Sequence, residues 1–116
     1  MRADNYLKSD LARARLVTAA VALEFGVPDI EVYSRTKGNS RSSFARQIAM
    51  YLTHIVYEIN LSRVARTFNR DRSTASHACR VVEEARDDDL IDEKLSGLEA
   101  FLERAPHPAP ELNYDA

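Results

Sequence analysis

Long apolar runs are missing from this sequence of 116 residues, as are a second cysteine and any cluster of glycines. Each absence closes a class of function. No stretch approaches the roughly eighteen consecutive apolar residues that a membrane span requires, and the opening MRADNYLKSD is too polar for a secretory signal. A cytoplasmic protein is therefore expected. The single cysteine, Cys79, can neither close an internal disulfide nor begin a zinc pattern, which agrees with a reducing compartment. The three glycines, Gly26, Gly38 and Gly97, are scattered, and no GxxxxGK[ST] phosphate loop occurs, so nucleotide hydrolysis is not expected. Catalytic constellations are equally scarce. His54 falls inside a helical pattern, His107 lies among prolines, and His77 and Cys79, two apart on one helix, face different directions. Asp87, Asp88 and Asp89 read as a helix start rather than a metal site. No enzyme, metal or cofactor is expected.

What is present is a globular balance, 45% hydrophobic and 29% charged, in a chain the length of one domain. The net charge of −2 conceals a segregation along the chain. Between Arg35 and Arg80 there are nine basic residues and two acidic ones, whereas from Val81 onward three basic residues face eleven acidic ones. A cationic middle suits a polyanion, and the acidic end does not.

Helical periods run throughout, and an all-α fold is expected. SDLARARLVTAAVALEFGVP offers Ser9 or Asp10 as a cap, apolar rows at Leu16, Ala20 and Leu23 and at Val17 and Val21, then Gly26 and Pro28 as a stop. PDIEVYS allows one or two turns, and RTKGNSRSS, with no apolar anchor, reads as a basic loop. A second long helix follows from Phe44, Ile48, Leu52, Ile55 and Ile59. A short helix capped by Asn60 or Ser62 carries Leu61, Val64, Ala65 and Phe68, and NRD then forces a turn. The last helix begins at the aspartates and repeats Leu90, Lys94, Leu98 and Leu102, with Ile91, Leu95 and Phe101 alongside. Residues 1–9 are expected to be a flexible N-terminus, 10–104 the folded domain, and 105–116, with three of the four prolines, a disordered tail.

Between these elements lies DRSTASHACRVVEEAR. Asp71 suits an N-cap, while Ala75, Ala78, Cys79, Val82 and Ala85 form a narrow face of small side chains suited to close packing. The opposite face carries Arg72, Ser73, Ser76, His77 and Arg80. A short helix, a tight turn and a second helix of this kind is a helix-turn-helix, whose second helix enters the major groove by its N-terminal end. Most polar helix faces are merely solvated. Arginine, however, can make a bidentate contact to guanine, and serine and threonine adapt to bases or phosphates.

Two matches tip that balance. ARQIAMYL and STxxHACR stand at the spacing found in the C-terminal DNA-binding domain of the bacterial DnaA replication initiators, which this chain resembles from Leu11 to Leu102. The resemblance implies about six helices, a helix-turn-helix in the major groove and a basic loop reaching the minor groove. By position it implies base contacts from Asp71, Arg72, Ser73, Thr74 and His77, and phosphate contacts from Arg46 and Gln47, with Ser76 and Arg80 completing the phosphate set. Three departures stand out. Arg72 replaces the histidine of the pattern, the turn FNRD is one residue shorter than FGGRD, and the minor-groove arginine falls on Gly38, leaving Lys37 or Arg41 to substitute. The expected partner is double-stranded DNA. Three roles stay open: a transcriptional regulator, a modulator of replication that occupies initiator boxes, and a protein interaction module with a vestigial DNA surface. A protein partner on the acidic last helix is a further expectation, as is a monomer or a weak homodimer. The protein is expected at the nucleoid.

Overall fold

The structure, a computed structural model, describes residues 3–32 and 40–109. These form six helices and, among the described residues, no strand: α1 Ala3–Phe25, α2 Asp29–Val32, α3 Ser40–Tyr57, α4 Leu61–Thr67, α5 Arg72–Ala85 and α6 Asp89–Arg104. Two boundaries differ from the sequence expectation. Ser9 and Asp10 do not cap α1, which runs back to Ala3, so residues 3–9 are helical. The reason is tertiary: Asp10, inside the helix, is 2% exposed and receives two hydrogen bonds from Arg63, Nε at 2.9 Å and Nη2 at 2.7 Å. The basic loop also ends early, because Ser40 to Ser43 already belong to α3.

α3 is the central helix and packs against every other. Ile48 to Thr53 are all buried, so this segment is covered on every side, as a helix in the middle of a core must be. Around it stand Val17 and Val21 of α1, Val64 of α4, Val82 of α5, and Leu95 and Leu102 of α6, each essentially without solvent contact. Two of the buried polar side chains are bonded back into their own helices. Thr53 donates to the Ala49 carbonyl at 2.7 Å and Thr67 to that of Arg63 at 2.8 Å.

The same C-terminal closure ends three helices. In each, one residue turns to positive φ and the next amide reaches back five residues, a Schellman motif. Gly26 at φ 66° precedes Val27, which donates to the Ala22 carbonyl at 3.0 Å. Glu58 at φ 55° precedes Ile59, which donates to His54 at 3.2 Å. Asn69 at φ 57° precedes Arg70, which donates to Ala65 at 2.8 Å. His54 reinforces the second closure, its Nδ1–H donating to the Ile59 carbonyl at 2.6 Å.

α6 is held by its cap and by one arginine. Asp88 accepts from the amides of Leu90 and Ile91 at 2.9 and 3.2 Å. Arg86, at the end of α5, donates to Asp92 at 2.5 Å, to Glu99 at 2.7 Å, to the Tyr51 hydroxyl at 3.0 Å and to Ser96 at 3.1 Å. The hydrogen bond to Glu99 above all holds its pKa over the ordinary arginine value. Beyond α6, residues 105–109 are neither helix nor strand, and the His107 ring lies 6.0 Å from that of Tyr57. The rest of the tail expected to be disordered lies outside the described residues.

Candidate nucleic-acid interface

α4 and α5 form the expected helix-turn-helix, and the turn between them is the Asn69 closure. Asparagine tolerates the left-handed backbone better than most residues with a side chain, so FNRD makes a tight turn without glycine. Asn60 caps α4 by accepting from the Arg63 amide at 2.9 Å. Arg63 in turn ties α4 to α1 through buried Asp10, and its guanidinium lies 4.7 Å over the Tyr6 ring. The hydrogen bonds it donates to Asp10 keep the Arg63 pKa raised. α4 thus has a fixed seat before α5 begins.

α5 presents its small face inward. Ala75, Ala78 and Val82 are 0–1% exposed, which lets the helix lie close against α3 and α4. Its other face is open: Asp71, Arg72, Ser73, Thr74, His77 and Arg80 are all exposed. Asp71 stands at the N-cap with extended φ and ψ, yet its carboxylate makes no capping bond. Arg80 Nη2 approaches His77 Nδ1 at 3.4 Å. Because a guanidinium only donates, Nδ1 is the accepting atom of this contact. Ser76 is half-buried in a crevice with His54, Leu61 and Cys79. Burial, and then the nearby Glu83 carboxylate, push the Cys79 thiol up to about 11, leaving a poor nucleophile.

One expected phosphate contact, Arg46, is engaged within the protein. Arg46 is 8% exposed, and its Nε and Nη2 donate to the carbonyls of Val32 and Glu31 at 2.8 and 2.9 Å. It therefore satisfies open carbonyls at the end of α2 and fixes the chain where it leaves that helix, an anchoring role. Burial lowers its pKa, with a smaller push from the charge of Arg70. Ser42, buried beside it, donates to the Glu31 carboxylate. Gln47 is half-buried on α3, and Arg41 is exposed in the first turn of that helix. Lys37 lies outside the described residues.

Two cations were missed. Arg66 is exposed in the last turn of α4, and Arg70 is half-exposed in the turn itself. Both belong to the basic run of the sequence, and the closure at Asn69 sets Arg70 in the turn directly before α5. Among the described residues no three or more His, Cys, Asp or Glu side chains gather where a metal could sit, and no helix is long and apolar enough to cross a membrane.

Comparison with known proteins matches this geometry. The family model described as the bacterial DnaA protein helix-turn-helix aligns with residues 14–82. The chain is 45% identical over 69 residues to the chromosomal replication initiator protein DnaA of Aquifex aeolicus strain VF5, covering 59% of this chain and 16% of that protein. It is 36% identical over 67 residues to the same-named protein of Desulfotalea psychrophila, covering 58% of this chain and 14% of that one. A solved structure titled as a DNA replication initiation factor superimposes with a TM-score of 0.72 at 32% identity, over 88% of this chain and 30% of that one. The chain thus spans a minor part of each relative.

Proposed function

The chain belongs to the bacterial DnaA helix-turn-helix family, a DNA-binding fold, and from that premise we propose that it reads a specific duplex sequence and regulates transcription there. The observation that carries this reading is the outer face of α5. It offers arginine, serine, threonine and histidine donors, all exposed, on a helix whose inner face is wholly committed to the core. In this reading Arg72, Ser73, Thr74 and His77 meet base edges, with the uncapped carboxylate of Asp71 accepting from a cytosine amino group. Arg80, Ser76 and Gln47 hold phosphates, joined by Arg66 and Arg70. Arg41, with Lys37, enters the minor groove. A monomer suffices for an asymmetric site, and the protein works at the nucleoid.

Arg72 supports a private recognition sequence, since the family pattern has histidine there and the two side chains present different donors. A second reading, in which the protein occupies initiator boxes and modulates replication, is favoured by the 45% identity with a replication initiator. The open cationic face of α5 weighs against a vestigial surface. Selection of bound duplexes from a random DNA pool tests the proposal, followed by mapping of occupied sites on the chromosome. A defined motif enriched at promoters is expected. Absence of any enriched motif would sink sequence reading, and occupancy confined to initiator boxes would move the function to replication.

A further inference from the structure

Away from the DNA-reading face, α1 and α6 enclose an open groove of about 650 Å³. Its lining joins large exposed apolar side chains to three charged ones, Glu24, Glu93 and Lys94. Leu23 is 85% exposed, Leu90 71% and Phe101 50%, over a floor made by Ala20 and Leu98. Large apolar side chains gathered in this way mark an interaction site more often than chance exposure. The groove shares no residue with the interface described above.

Gly97 points the same way. It lies inside α6 and lines the groove, and a Cβ placed there would meet nothing within 4 Å. Glycine weakens a helix interior relative to alanine, and no neighbour in this fold requires the space. A second backbone approaching the groove would require it. A Lys94–Glu24 ion pair of 2.8 Å staples the two walls together, so the groove is already formed before anything enters.

Charge selects the occupant. With Lys94 engaged by Glu24, the groove-lining charge left without a cationic partner among the described residues is Glu93, and the exposed carboxylates of Asp87, Asp88 and Asp89 precede it at the start of α6. Arg104 stands beyond Phe101 at the opposite end. The chain's own residues 110–116 contain Glu111 and Asp115 and no cation, which is the wrong charge for this rim. A second copy in parallel register would set the same acidic helix end against its own, and an antiparallel copy could offer it from α6 only Arg104, since Lys94 is already engaged. We propose that the groove docks an amphipathic helix of a partner protein, with leucine-like side chains along one stripe and arginine or lysine flanking it. This deepens the expectation of a partner on the acidic last helix and does not depend on which DNA sequence is read.

The test uses the full chain and a fluorescent, helix-forming peptide with leucines at i, i+3, i+4 and i+7 flanked by lysine and arginine. A second peptide has every cation replaced by glutamate. The basic peptide should bind, and Leu90→Ser, Gly97→Leu and Glu93→Lys should each weaken it at least about tenfold. Glu103→Lys, an exposed position that does not line the groove, should leave it unchanged. All four variants should retain wild-type DNA affinity and cooperative unfolding, which separates this proposal from the fate of the DNA reading. Three results overturn it: equal binding of the acidic peptide, no effect of Leu90→Ser and Gly97→Leu, or a wild-type dimer in sedimentation that Leu90→Ser returns to monomer.

Discussion

The α4–α5 pair and the α1–α6 pair treat their leftover side chains in opposite ways. α5 is narrow inside and polar outside: alanines and a valine fill the core side, and the exposed side chains from Arg72 to Arg80 are arginine, hydroxyl and histidine, with Glu83 and Glu84 following near its end. α6 buries Leu95, Leu98 and Leu102 and still leaves Leu90 and Phe101 in solvent, beside an excess of carboxylates. One pair offers hydrogen-bond donors to a polyanion, and the other offers apolar area within an acidic frame. These surfaces are therefore assigned to different partners by the two proposals. Arginine appears on both sides of this division with different work. Arg46, Arg63 and Arg86 are committed to carbonyls or carboxylates within the protein, whereas Arg66 and Arg72 are exposed.

That division of arginines can be broken at the scaffold first. Arg63→Ala leaves the Asp10 carboxylate buried with only Arg13 nearby, at 3.8 Å, and should destabilise the fold by about 3 kcal/mol in urea unfolding. DNA affinity of the folded protein should be little changed. Arg72→Ala should do the reverse. On a selected duplex it should cost about 1–3 kcal/mol and relax preference at one base pair, with the unfolding midpoint unmoved. Equal weakening on every sequence would remove Arg72 from base reading.

A finer test sets Arg80 against Arg46. Arg80→Ala should lower the slope of log K against log salt by about one, as loss of one phosphate contact does. Arg46→Ala should cost about 1–3 kcal/mol of stability by unsatisfying two carbonyls while leaving that slope alone. A reduced slope for Arg46→Ala would return it to the phosphate contacts. The smallest effect concerns Cys79. Its raised thiol pKa favours the protonated folded state, so its contribution to stability is present below the ordinary thiol value of 9.0 and lost as pH rises towards about 11. At pH 8 a disulfide reagent should label the native protein far more slowly than the urea-unfolded one.

Much of this was legible in the sequence, though unevenly. The period of α5 separates Ala75, Ala78 and Val82 from Arg72, Ser73, His77 and Arg80, and the structure buries the first set and exposes the second. The periods of α1 and α6 were less informative: Leu23, Leu90 and Phe101 keep helical spacing with buried neighbours yet face solvent, because no helix lies opposite them. Nothing marks Glu58 as a residue that will turn to positive φ, since only the packing of α4 back onto α3 requires it. Arg46 carries the strongest lesson. Its place in ARQIAMYL suggests a DNA ligand, but the carbonyls that take its hydrogen bonds lie 14 and 15 residues earlier in the chain.

The sequence alone determined the helices and the two-sided character of α5, because a turn of 3.6 residues sorts side chains using only their nearest neighbours in the chain. Tertiary structure decided which charges are neutralised and which apolar groups are left over. Asp10 and Arg63 meet across 53 residues, and α1 and α6 border a groove that neither predicts alone. Pairing and burial depend on what lies across the gap, and that is settled only when the helices have packed.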